Sequence, residues 1–155
     1  MKTERRSVLK KLFASAVGVT GLGAVANAKV LNSTPEKVAG NIVEYQGKKL
    51  FSNHVIHNGL VYIAGKGAHT DPFDIKSHTE IVLKELEKEL IKAGSSMQKV
   101  LKVTVYLNDI ADYKGMNEVY MGRFGDKPPV RSTIAVAKGG VPGDSLVEMD
   151  AIAYI

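Results

Sequence analysis

Between Leu101 and Leu107 apolar and polar residues alternate, with Leu101, Val103, Val105 and Leu107 set against Lys102, Thr104 and Tyr106. A period of two predicts a strand with one buried face. Over about residues 74–93 the period lengthens, and Ile75, Val82, Leu83, Leu86, Leu90 and Ile91 fall largely on one side of a helix that Gly94 terminates. Earlier, the apolar runs His54–His57 and Leu60–Ala64 flank Asn58-Gly59. Both turn residues tolerate positive φ, so a tight hairpin is predicted. Asp112 is placed to cap a second helix, 113–123, whose Met116, Val119 and Tyr120 form its inward stripe. Pro128-Pro129 interrupt the chain before a strand at 130–137 that reads as buried after its opening arginine, and Gly139-Gly140 with Pro142-Gly143 supply a turn into a last strand at 146–154. Residues 29–41 are polar and mixed, a flexible lead-in. The order β-β-α-β-α-β-β predicts an α+β sandwich: a mixed sheet with both helices on one face.

Charge changes the picture only once it is divided. The chain carries +5, but five of its 21 basic residues and one of its 16 acidic ones lie within residues 1–28. From Lys29 onward the balance is close to neutral, which argues against a nucleic-acid or anionic-lipid surface. The first segment reads as an address. Arg5-Arg6 followed by Ser7, Val8, Leu9 and Lys10 matches a twin-arginine signal, a Gly-interrupted apolar run extends from Leu12 to Val25, and Ala26-Asn27-Ala28 has the small-x-small form of a cleavage site. That run is short of the roughly 20 residues that span a bilayer. The expectation is export to the periplasm with cleavage after Ala28, the alternative being a retained anchor. With no cysteine in the chain, disulfides, thiol nucleophiles and lipid attachment through a cysteine are excluded.

Candidate chemistry is sparse. His69, Asp71 and His78 invite a metal, but they straddle a proline loop and no two histidines have ligand spacing on one element, so no metal is expected. Gly65-Lys66-Gly67 lacks the order of a phosphate loop. Lys84, Glu85, Glu87, Lys88 and Glu89 read as a solvated, ion-paired helix face. The two last strands are more informative. Glu148 and Asp150 interrupt an apolar strand on one of its faces, and Arg131 opens the strand before it. Carboxylates sealed in a core without partners are costly, so the acids mark either an exposed sheet face or a small polar site. In the second case Arg131 receives a carboxylate through its two-donor fork and an acid nearby handles protons.

Val130-Arg131-Ser132-Thr133, Val147-Glu148-Met149-Asp150-Ala151-Ile152-Ala153, Ile91-Lys92-Ala93-Gly94, and Val103-Thr104-Val105-Tyr106-Leu107-Asn108-Asp109 followed by Met116-Asn117-Glu118-Val119-Tyr120 together resemble the RidA/YjgF family of imine deaminases. The resemblance spans about residues 50–155, within a domain taken as 42–155. It implies a chorismate-mutase-like α+β sandwich, assembled as a homotrimer with sites at subunit interfaces, and hydrolysis of reactive 2-imino or enamine acids to 2-keto acids and ammonia. It further implies that Arg131 grips the substrate carboxylate and Glu148 positions or activates the attacking water. Thr133 stands where close relatives have cysteine and holds that water through its backbone carbonyl. Gly65 offers a backbone contact and Asn117 lines the site. Phe51 replaces a tyrosine, Ala64 replaces a serine, and the loops after Gly65 and before Arg131 are shorter than in the family. No cofactor is implied, since adding water to a C=N bond needs orientation and proton transfer only. Two other readings stand beside it. One is a non-catalytic trimer that binds small carboxylates such as 2-keto acids. The other is the endoribonuclease activity attached to the family, which the near-neutral mature chain and the lack of a basic-aromatic stripe oppose.

Overall fold

The computed structural model describes residues 35–155. The segment expected to be a leader, 1–28, and the first part of the expected lead-in lie outside the described residues. Six strands form one sheet in the order β1-β2-β3-β6-β4-β5: β1 (Val38–Tyr45), β2 (Lys48–His57), β3 (Leu60–Gly67), β4 (Val100–Leu107), β5 (Val130–Ala135) and β6 (Val147–Tyr154). All neighbours are antiparallel except β4 and β5. Helices α1 (Ile75–Lys92) and α2 (Tyr113–Tyr120) complete the fold.

The period-two reading of β4 and β6 carries the core. Val103, Val105 and Leu107 of β4 and Val147, Met149, Ala151 and Ala153 of β6 are buried on one sheet face, with Val61 and Ile63 of β3. Val82, Leu83, Leu86 and Leu90 of α1 and Met116 of α2 close over them. Each fully buried leucine contributes about 2 kcal/mol through area removed from water. Asn58 and Gly59 both have positive φ, as a two-residue hairpin requires. Asp74 caps α1 by accepting the Ser77 N–H at 2.9 Å.

Several expectations are corrected. Residues 38–41 of the lead-in belong to β1, whose turn to β2 is made by Gln46 and Gly47, again both at positive φ. Ile91 is 62% exposed rather than on the inner stripe. The second helix ends at Tyr120, and Asp112 sits at helical φ without a capping bond. Asp109 does the capping instead, one short 3-10 turn earlier, where it accepts the Ala111 N–H at 2.9 Å. The strand after Pro129 is an edge strand, with Val130 70% and Ile134 49% exposed, because the helices cover a single sheet face. His78, fully buried in α1, is held by backbone on both sides. Its Nδ1 accepts the Leu146 N–H at 3.1 Å, which leaves Nε2 to donate to the Thr70 carbonyl at 3.1 Å.

Glu89 is the largest departure. It is 4% exposed, not part of the solvated face. Its Oε1 accepts from His54 Nδ1 at 2.6 Å and from Asn41 Nδ2 at 2.8 Å, so one carboxylate ties β1 and β2 to α1. Gly40 leaves room for the imidazole, since a Cβ there would overlap the His54 ring. Burial pushes the Glu89 carboxyl up, but the hydrogen bonds from His54 and Asn41, with Lys66 and Lys92 nearby, outweigh it and hold the group below its ordinary 4.5. A carboxyl lowered by folding stabilises above its unfolded value, and that contribution is lost as pH falls through the folded one. Glu89→Ala is therefore expected to cost about 2–4 kcal/mol at neutral pH, because it leaves the buried His54 ring without its partner. Urea unfolding as a function of pH checks this: the variant loses part of the wild type's decline below pH 4.5. An unchanged acid slope would rule the latch out.

Candidate functional site

Among the described residues no helix lies on the sheet face opposite α1 and α2, and this open face carries three of the residues singled out by sequence. Glu148 alternates with the buried Val147 and Met149, so its side chain turns to this open face. In register it lies between Gly67 of β3 and Tyr106 of β4. The β3–β6 pairing slips between Ile63 and Lys66, which brings Gly65 against the acid: a Cβ on Gly65 would collide with the Glu148 carboxylate. Glycine here is a condition for seating Glu148. Beside it Tyr106 donates its hydroxyl to Asp150 Oδ2 at 3.1 Å. Tyr106 and Glu148 share a shallow pocket of about 110 Å³ with Val136, Gly140, Val141 and Pro142. Phe51, three residues from the inward His54, faces the same open side and is 49% exposed. The β2–β3 pairing ends at His54 and Ile63, so Phe51 extends past it toward the end of the sheet where β3 bulges.

Arg131, Thr133 and Asn117 lie elsewhere. Arg131 and Thr133 pair in parallel with Val103 and Val105, whose side chains are buried under the helices, so both turn to the helix side. Arg131 Nη2 donates to the Tyr113 hydroxyl at 3.2 Å, and its Nη1 approaches Met116 Sδ at 4.0 Å. The guanidinium carbon stands 4.6 Å from the Tyr120 ring centre. Asn117 is one helical turn from Tyr113, on the same side of α2. Among the described residues Arg131 makes no ion pair, whereas Arg123 meets Glu80. Two buried hydroxyls, Thr133 Oγ1 and Tyr120 Oη, have no hydrogen-bond partner among the described residues. Burial pushes the Tyr120 phenol up to about 12, with Arg131 opposing the rise. The helix side thus holds a cation with no ionic partner among the described residues, an arrangement suited to an incoming anion.

The sequence suggested that Arg131 and Glu148 stand on neighbouring strands at one site. They do not: β4 separates β5 from β6, and the two side chains leave opposite faces of the sheet. Within one protomer the six residues form two half-sites, Phe51, Gly65 and Glu148 on the open face and Arg131, Thr133 and Asn117 on the helix side. Tyr113 and Tyr120 escaped sequence reasoning as site residues. The usable signal was their spacing of seven on α2, which puts both rings on the flank that meets β5.

A family model described as Endoribonuclease L-PSP matches residues 43–155. The chain belongs to this family. Among its L-PSP relatives is a RutC family protein of Pyrococcus abyssi, 37% identical over 119 residues, covering 77% of this chain and 92% of that one. Reactive Intermediate Deaminase A of Arabidopsis thaliana chloroplasts is 27% identical over 174 residues, covering 100% of this chain and 92% of that protein. Among solved L-PSP-like structures, Escherichia coli TdcF with bound serine superposes with a TM-score of 0.63 at 26% identity, covering 76% of this chain and 92% of that one. The sheet with two helices on one face is the fold of this family.

Proposed function

We propose that this protein hydrolyses 2-imino acids and their enamine tautomers to 2-keto acids and ammonia, in sites assembled between the subunits of a homotrimer. The observation that carries the reading is the pair of complementary half-sites on opposite faces of one sheet: a cation without an anionic partner among the described residues, and a carboxylate seated over a glycine. A neighbouring copy laid on the open face would bring its Arg131 to this chain's Glu148. The deaminase named among the relatives and the amino acid bound to TdcF support a small carboxylate-bearing substrate.

In such a site Arg131 holds the substrate carboxylate through two parallel N–H bonds. Glu148 takes a proton from water as the oxygen attacks C2 of the iminium form, giving a tetrahedral amino alcohol. That proton then goes to the nitrogen, and Glu148 takes the hydroxyl proton as the C–N bond breaks, so ammonia leaves while the C=O bond forms. Thr133 contributes a carbonyl from an edge strand, where part of the backbone has no ladder partner and is free to orient the water. No cofactor is required by these steps.

Phe51 favours a second reading, a trimer that binds 2-keto acids without turning them over, because it brings a ring and no hydroxyl to the open face. The discriminating experiment generates imines in situ with an amino-acid oxidase and follows ammonia and keto-acid release. The deaminase accelerates release well above the uncatalysed rate. Release at the background rate, with 2-keto acid binding intact, would leave the binding protein.

A further inference from the structure

Arg131 is held by aromatic rings rather than by charge. Tyr120 forms the floor: its ring lies 4.6 Å from the guanidinium carbon, is 9% exposed, and is itself fixed against Phe124 with ring centres 4.9 Å apart. Tyr113 acts from the side, 42% exposed, with its ring centre 5.7 Å away and its hydroxyl accepting from Nη2 at 3.2 Å. An aromatic face attracts a cation through its quadrupole but does not occupy the donor fork as a carboxylate would. Held this way, the guanidinium keeps donors that no group among the described residues uses, while losing the freedom a long side chain otherwise has.

We propose that Tyr113 and Tyr120 are positioning residues that fix the guanidinium plane of Arg131 in advance of a substrate carboxylate. The inference rests on the reading above, in which Arg131 receives that carboxylate. Orienting the fork beforehand removes an ordering cost from binding. The clamp acts on an interaction made equally in the bound substrate and the transition state, so it governs KM and leaves kcat nearly unchanged. A purely structural role for Tyr120 in the core would alter stability without separating the two constants.

The test compares the full-length wild type with Arg131→Ala, Tyr113→Leu, Tyr120→Leu and Tyr120→Phe. Titration with 2-oxobutyrate reads binding, and oxidase-generated imine reads KM and kcat. Tyr113→Leu and Tyr120→Leu each weaken 2-oxobutyrate binding and raise KM by about five- to thirtyfold, with kcat within about twofold. Tyr120→Phe keeps the ring and stays within about twofold of wild type in every constant. Should Tyr120→Leu fail to fold, the surface variant Tyr113→Leu carries the comparison. A second readout needs no ligand: the ¹⁵N order parameter of the Arg131 Nε–H falls in the leucine variants. If Tyr113→Leu binds as tightly as wild type with Arg131 no more mobile, while Arg131→Ala abolishes binding, the clamp is overturned and the deaminase reading survives. If the wild type neither binds 2-oxobutyrate nor hydrolyses imines, the deaminase reading fails and the clamp's role falls with it.

Discussion

Mixing subunits that carry Arg131→Ala with subunits that carry Glu148→Gln restores imine hydrolysis to a rate far above that of either variant alone. The expectation follows from the sheet geometry: Arg131 leaves the helix side of β5 and Glu148 the open side of β6, so no chain can present both to one ligand. In the proposed trimer each site takes its arginine from one copy and its acid from the next. In every closed trimer that contains both variants, one of the three sites, about one third, then combines an intact Arg131 with an intact Glu148. Co-expression with two affinity tags, followed by activity measurement on doubly tagged trimers, checks the figure. Mixed trimers no more active than the two parents would mean that the residues do not share an interfacial site.

The single variants separate binding from chemistry. Arg131→Ala abolishes both deamination and 2-keto acid binding. Arg131→Lys recovers little, although an ammonium still lies over the Tyr120 ring, because it lacks the planar two-donor fork. Glu148→Gln retains ligand binding and slows turnover by about 10²–10⁴-fold, the range lost with a general base. Steady-state kinetics beside calorimetric titration reads both quantities. Glu148→Gln turning over at the wild-type rate would reduce Glu148 to a structural acid.

Much of the fold was legible because local rules agreed. Asn58-Gly59 between apolar runs, the long stripe of α1 and the alternation of β4 each specify an element without help from the rest of the chain. β1 was hidden because Gly40, Asn41 and Glu44 break its alternation, and its anchorage comes from a carboxylate 48 residues away. Glu89 was misread because it lies in a charged run. Its helical position, three residues past Leu86 and seven past Val82, placed it on the buried side all along. The site residues were nameable from their resemblance to a family, but their division between two faces was not. That division depends on strand order and on the phase of the β4–β5 pairing, and neither is written in any local stretch of sequence.

The parallel pairing of β4 with β5 has one more consequence. Parallel strands cannot be joined by a tight turn; the chain must climb back across the sheet before it can run the same way again. Here that return path is residues 108–129, and α2 is its middle portion. The segment that topology obliges the chain to contain is therefore the one that bears the rings around Arg131. An insertion or deletion in this crossover would shift α2 along its groove and re-aim the guanidinium, even though no residue touching the ligand had changed. Variation in the length of this one connection is a route by which a single scaffold can shift its choice among acids of different size without altering its chemistry.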